Sequence, residues 1–347
     1  MHDELRTLCA KVQKNCHISD ARYAGDYTLC IYLLKMREYY RWEKGYSLDA
    51  SLNKDAVGNW LKQREQLWDS LTDEGFEPIP VNAGRLDPFD TDAINASLIP
   101  AGLVYSGGLG RNAKPHFLLG RLERHEQYDG FTVYVSAEEY ARDLSAPPAM
   151  TLGNNVFIRR DSLRRLLWEK SEEWRWAKHD NAMGRALQCY GFDADPLDAL
   201  ERMTDREIEA VLLHEIGEVL AGQLLGEEWN EMLAVLPRSR AEIAARAVRD
   251  HLADALSTLP ALLDEGDEAC VHFYFGNLSS MRKLIFPRLT AAYEQWRENA
   301  DTGALRELIP ESREHWLALA RRMVDAYRAH GKDCLPHVDS LIDAGHL

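Results

Sequence analysis

Residues 212–226 read LLHEIGEVLAGQLLG, which sets His214, Glu215 and Glu218 in an otherwise apolar stretch. On an α-helix, residues four apart share a face, so His214 and Glu218 can point at one atom. Glu215 lies about 100° further round the same helix, at the edge of such a site. This donor set suits a divalent metal with a carboxylate beside it to act as a base. A second acidic face lies in RAVRDHLADALSTLP, where Asp250 and Asp254 are four apart and His251 and Asp254 are three apart.

A carboxylate buried without a partner costs several kcal/mol or takes up a proton. Glu215, Glu218, Asp250 and Asp254 therefore need something positive among their Leu, Ile and Val neighbours. A divalent metal would serve, and so would Arg246 and Arg249 on the same helix as the aspartates, which would make the cluster a structural ion-pair network. The spacing favours a meeting of the two faces. His214 lies twelve residues before Gly226 and His251 twelve residues after Ser239. Twelve helical residues rise roughly 18 Å, so antiparallel packing would bring both histidines to one height. His272, in CVHFYFGN, is a possible third contributor from the following helix.

The expected centre is thus His214, Glu218 and His251 as metal ligands, with Asp254 or Asp250 as a further ligand or as the group that orients one. Glu215 would be the general base toward a water that the metal activates. Zinc, or iron or manganese, fits the donors, and hydrolysis of a small-molecule or peptide substrate is the expected chemistry. Two other readings stay open. One is a non-catalytic helical protein that binds a ligand or partner, with a structural His/carboxylate/Arg network. The other is a dinuclear non-haem metal protein holding four carboxylates and two histidines between helices, although such proteins usually carry Glu-x-x-His, and the order here differs.

HEIGE resembles the HExxH helix of zinc metallopeptidases. That resemblance implies His214 as first ligand and Glu215 as general base, with Glu218 standing where the family has its second histidine; His251 would then restore a two-histidine set. LLHEIGEV is also similar to the LLHDIGK segment of HD-domain phosphohydrolases. There His214 would bind metal, while Glu215 replaces the signature aspartate and Glu218 the lysine. Those enzymes also need an upstream histidine and a downstream aspartate, for which His179 and Asp250 or Asp254 are available. Each resemblance covers fewer than ten residues. The whole chain looks similar to a family of uncharacterised bacterial proteins, which implies no activity.

The elements that must hold these residues are mostly helical. A helix is expected from Ser19, as N-cap, to Gly45, with the apolar LCIYLL at its centre placing it in the core. A second runs from about 55 to 71. Residues 76–100 change character, and EPIPVNAGRLDPFD, rich in Pro, Gly and Asp, reads as an extended connection. LVYSGG, HFLLGRLERH, FTVYVS and NVFIRR then read as strands of a small antiparallel sheet between about 102 and 160, with Asp129-Gly130 as a hairpin turn. SGGLGRN lacks a P-loop ending and reads as a tight turn. His116 and His125 read as surface residues. Thr204–Glu207 and Ser239–Glu242 are capping boxes, and Gly226 and Pro260 are stop signals. The class is mainly α with a small antiparallel β-sheet insertion: N-terminal helices at 1–75, the insertion at 76–160, and a helical region at 161–347 forming one body with 1–75.

Composition narrows the function classes. The chain has 347 residues, a formal charge of −15, 46% hydrophobic and 28% charged residues. That acidity, without a Lys/Arg stripe, argues against nucleic acid. The longest apolar runs are too short to span a bilayer, and the opening MHDELRTLCAKVQKNC has no apolar h-region. The six cysteines form no CxxC pair. Reduced thiols in a cytoplasmic setting are expected. Nothing in the pattern sets an oligomeric state.

Overall fold

Leu8, Val12 and Cys16 recur every four residues and are buried together, and this stripe defines the first helix, α1 (His2–Tyr23). A computed structural model describes residues 2–81, 84–110, 113–177 and 180–347. His179, and Arg111 and Asn112 of SGGLGRN, lie outside the described residues. Ser19 proves to be inside α1 rather than its cap, and its hydroxyl donates to the Pro115 carbonyl. The chain breaks at Ala24–Asp26 before α2 (Leu29–Glu43) and α3 (Lys54–Leu71). The expected burial of LCIYLL is also overturned: Leu29 is 71% and Leu34 59% exposed. A helix buries only the stripe that faces its neighbours, and α2 buries Met36, Tyr39 and Tyr40 in its second half instead.

The stretch expected to be an extended connection instead forms a short antiparallel pair, β1 (Ile79–Val81) and β2 (Gly84–Leu86), and then a helix. After α4 (Thr91–Leu98) come β3 (Leu103–Leu109), β4 (Pro115–Tyr128), β5 (Phe131–Arg142), β6 (Ala149–Leu152) and β7 (Asn155–Arg159). These five form one sheet in the order β3-β4-β5-β7-β6. The hairpin at Asp129-Gly130 is as expected, with Tyr128 opposite Phe131 and Gly130 at φ 84°. The sheet is not wholly antiparallel, because β7 turns back at Gly153 and inserts between β6 and β5, parallel to β5. His125 is exposed, but His116 is buried at the start of β4.

The chain packs as two compact units, Met1–Trp168 and Glu169–Leu347, with the boundary inside α5 (Arg160–Ala177). The N-terminal helices therefore share a core with the sheet, where the sequence reading grouped them with the later helices. The cause is the α1 stripe, which seats against Phe117, Leu119 and Ala141 of the strands.

The second unit is helical. It contains α6 (Ala182–Tyr190), α7 (Pro196–Leu225), α8 (Glu227–Val235), α9 (Arg240–Ala253), α10 (Leu259–Glu265), α11 (Glu268–Asn277), α12 (Ser280–Ile285), α13 (Pro287–Asn299), α14 (Gly303–His330) and α15 (Leu335–Ala344). Ser239 caps α9 by accepting from the Glu242 N–H, and α7 ends at Gly226, φ 73°. Thr204 is not a cap; α7 starts earlier, at Asp195, whose side chain accepts from Asp198 N–H. Pro260 does not stop the chain. It lacks an N–H and crowds the preceding turn, which widens into a π-helical segment, Asp254–Thr258, and leads on into α10. Among the described residues no helix is long and apolar enough to cross a membrane.

Candidate metal centre

α7 and α9 approach closely at Gly217, where an added Cβ would lie 2.3 Å from the Ala253 carbonyl oxygen. Only a residue without a side chain permits that contact, and it falls between His214 and Glu218 on the sequence of α7. The contacts run antiparallel: His214 meets Asp254, and Glu218 meets Arg249.

His214, Glu218 and Asp250 each offer a donor atom, and the three atoms lie within 4.8 Å of one another. His214 Nε2 is 3.9 Å from Glu218 Oε1. The other Glu218 oxygen accepts from Arg249 Nη2 at 2.5 Å. All three donors are partly exposed, so the cluster opens to solvent.

The other ring nitrogen of His214, Nδ1, is 2.8 Å from Asp254 Oδ1. Asp254 is fully buried, and its Oδ2 accepts from Arg282 and from the Tyr274 hydroxyl, the latter at 2.7 Å. A carboxylate so placed is an acceptor, which assigns the proton to Nδ1 and leaves the Nε2 lone pair toward Glu218 and Asp250. Asp254 thus orients His214. The π-helical turn that begins at Asp254 lies where such turns recur, beside a polar cluster.

Charge is unevenly met here. Burial pushes the Asp250 carboxyl above its ordinary range; Arg282 opposes this and Glu218 adds to it. Burial also acts to raise Glu218, but Arg249 and His214 hold it below its usual value. Glu215, partly exposed, is not among the converging donors; its charge helps keep Arg249 protonated.

His251 does not join the centre. Its Nε2 lies 3.0 Å from the Arg282 carbonyl oxygen, and its ring stacks on Trp316 at 5.1 Å and meets Phe286 edge-on. Burial, with Arg282 nearby, pushes its pKa well down. Asp254 rather than His251 stands level with His214, three residues or about 4.5 Å of helix from the height that the spacing predicts. His272 also lies elsewhere, against Tyr293 and Glu268. Tyr274 and Arg282, which fix Asp254, were not signalled by any spacing in the sequence.

Residues 164–345 match the C-terminal domain model of a family of unknown function, DUF6866, and residues 7–159 match its N-terminal domain model. The chain belongs to this family. No curated protein and no solved structure matches it. The two family domains meet within a few residues of the boundary between the compact units, and the whole His214 cluster falls in the C-terminal one.

The first compact unit, Met1–Trp168, holds a different ionic cluster. Glu139 is fully buried and accepts from Arg159 at 2.9 Å and Arg165 at 3.3 Å, with Arg142 at 3.6 Å and the Ser162 hydroxyl alongside at 2.5 Å. Burial alone would raise this carboxyl, but the three guanidinium groups lower it to about 2.

Proposed function

We propose that the C-terminal domain is a divalent-cation centre, with His214, Glu218 and Asp250 as ligands, and that it catalyses hydrolysis. The observation that carries this reading is the convergence of the three donors within 4.8 Å, with the far nitrogen of the histidine tied to a buried carboxylate. Metal-bound histidines commonly hand their second N–H to a carboxylate in this way. The two oxygens of Glu218 divide the work: Oε1 faces His214 and the cation position, while Oε2 stays with Arg249. Ligands about 2.1 Å from a tetrahedral cation lie roughly 3.4 Å apart, so small rotamer changes close the set. One imidazole and two carboxylates suit zinc, iron or manganese.

A cation held there would lower the pKa of a coordinated water toward neutrality. Of this chain's own groups, Asp254 would keep His214 in the correct tautomer, and Glu215 would accept a proton at the edge of the site. The competing reading, a structural network, draws on the Arg249–Glu218 and Arg282–Asp254 pairs.

The test is metal content by mass spectrometry on untagged protein reconstituted anaerobically with zinc, manganese or ferrous iron. The expected result is about one equivalent held in a His214-dependent way. His214→Ala should lose it, while Glu215→Gln should keep it and lose hydrolysis of ester or phosphoester test substrates. If no metal binds by a His214-dependent route and chelators leave the melting temperature unchanged, the cluster is a structural network. Two His214-dependent equivalents of iron or manganese would replace the mononuclear centre by a dinuclear one.

A further inference from the structure

The geometry points to a second cation site in the C-terminal domain, formed by Cys189, Glu268 and His272, with zinc as its fitting occupant. It is independent of the His214 centre and uses a different donor chemistry, because a thiol replaces one of the carboxylates.

Glu268 and His272 are four apart on α11 and so share a face. Gly276 continues that face one turn on, and a Cβ there would lie 2.8 Å from the Met183 backbone nitrogen of α6. This close approach brings Cys189, in the last turn of α6, to the α11 pair. The Cys189 Sγ, a Glu268 oxygen and a His272 ring nitrogen all lie within 4.8 Å of one another. His272 Nε2 faces Glu268 at 3.3 Å. Its Nδ1 is 2.8 Å from the Tyr293 hydroxyl, which itself accepts from Arg185 Nε at 3.1 Å. Without a cation the Glu268 carboxylate accepts from Nε2–H; because the Tyr293 hydroxyl can either donate to Nδ1 or accept from it, a cation can replace the Nε2 proton while the ring keeps a proton on Nδ1. The histidine is buried, whereas Cys189 and Glu268 are exposed. A cation therefore has a rigid inner ligand, two adjustable outer ones and a solvent-facing fourth position for water.

Thiolate, imidazole and carboxylate together select zinc over magnesium or calcium. Binding exchanges the Cys189 thiol proton, released to solvent, for a sulfur–zinc bond and involves no redox step. A zinc ion here would tie the end of α6 to the start of α11.

The test is a titration of the full chain with cobalt(II), whose thiolate complexes give a charge-transfer band in the near ultraviolet. The band should appear at about one equivalent, vanish on addition of zinc and be absent from Cys189→Ser. It should persist in His214→Ala and Cys30→Ser, which separates this site from the His214 centre and from the exposed thiol of the other domain. Glu268→Gln, on an exposed residue, should weaken cobalt binding at least about tenfold, and Tyr293→Phe should weaken it by about 10- to 100-fold. In the His214→Ala background zinc should raise the melting temperature, and adding Cys189→Ser should abolish that rise. Absence of the band in the wild type, or its survival in Cys189→Ser, overturns the proposal; an unchanged affinity in Glu268→Gln removes the three-ligand set.

Discussion

The Glu139 nest of the first compact unit and the His214 cluster of the second both place carboxylates among apolar residues, and they resolve the charge in different ways. Around Glu139 the charges balance: Glu139, Asp143 and Asp161 face Arg142, Arg159 and Arg165, and both Nη atoms of the fully buried Arg159 lack a hydrogen-bond partner among the described residues. Around His214 the surplus is acidic: Glu215, Glu218, Asp250 and Asp254 face Arg249 and Arg282. Glu139 is held down to about 2, whereas Asp250 is pushed up. A closed nest whose charges already balance has no use for another cation. A solvent-facing cluster with carboxylate left over has a place for one. Burial of acidic residues therefore does not by itself mark a site; an unmet acidic surplus beside solvent does.

The largest effect should come from breaking the closed nest. Glu139→Ala leaves three guanidinium groups without their shared acceptor, and breaking such a buried pair costs about 3–5 kcal/mol. Urea unfolding followed at the tryptophans should show the loss. The same carboxylate gives the wild type a defined acid response. Its folded pKa lies below the ordinary 4.5, so its stabilisation is present above that value and is lost as pH falls from about 4.5 toward about 2. Glu139→Gln should flatten that limb of the stability–pH curve. An unaltered limb would mean that the nest is not electrostatic in origin.

The second effect is at the helix crossing. Gly217→Ala places a Cβ 2.3 Å from the Ala253 carbonyl oxygen, and overpacking of this kind costs typically about 1–3 kcal/mol. Because the crossing also sets the distance from His214 to Asp254, metal binding should fall with it. Stability lost with metal affinity intact would uncouple the crossing from the site.

These two sites were not equally legible in the sequence. The His214–Glu218 and Asp250–Asp254 pairs follow from four-residue spacing, because helical periodicity fixes which side chains share a face. Which way His251 turns was not legible, since it is decided by Trp316 and Phe286, far along the chain. The same holds for Tyr274 and Arg282 on Asp254. In the N-terminal domain, Asp129-Gly130 announced its hairpin because a two-residue turn is a local event. The parallel β5–β7 pairing did not announce itself, because β6 intervenes in sequence and is displaced to the edge in space. LCIYLL shows the same limit: apolar composition alone does not say which side of a helix finds a neighbour.

The third effect sharpens the assignment of roles. Asp254→Asn keeps the shape of the residue but presents His214 Nδ1 with an amide in place of a carboxylate. Metal affinity should drop by about 10- to 100-fold without the full loss expected of His214→Ala. Isothermal titration with zinc measures the difference. Equal losses in the two variants would make Asp254 a ligand rather than an orienting group.

The smallest effect discriminates most cleanly, because the two accounts of the cluster predict opposite signs. Arg249 shares Glu218 with the proposed cation and repels that cation directly. If the cluster is a cation centre, Arg249→Met should bind zinc severalfold more tightly, since the competing positive charge is gone and the stem still packs. If it is a structural network, the same substitution leaves Glu218 and Asp250 to share only Arg282, which is already paired with Asp254. Stability should then fall with rising pH as both ionise, and added zinc should not restore it. A melting-temperature series across pH, with and without zinc, separates the two, because only a centre built for a cation lets the metal take over the work of the missing arginine.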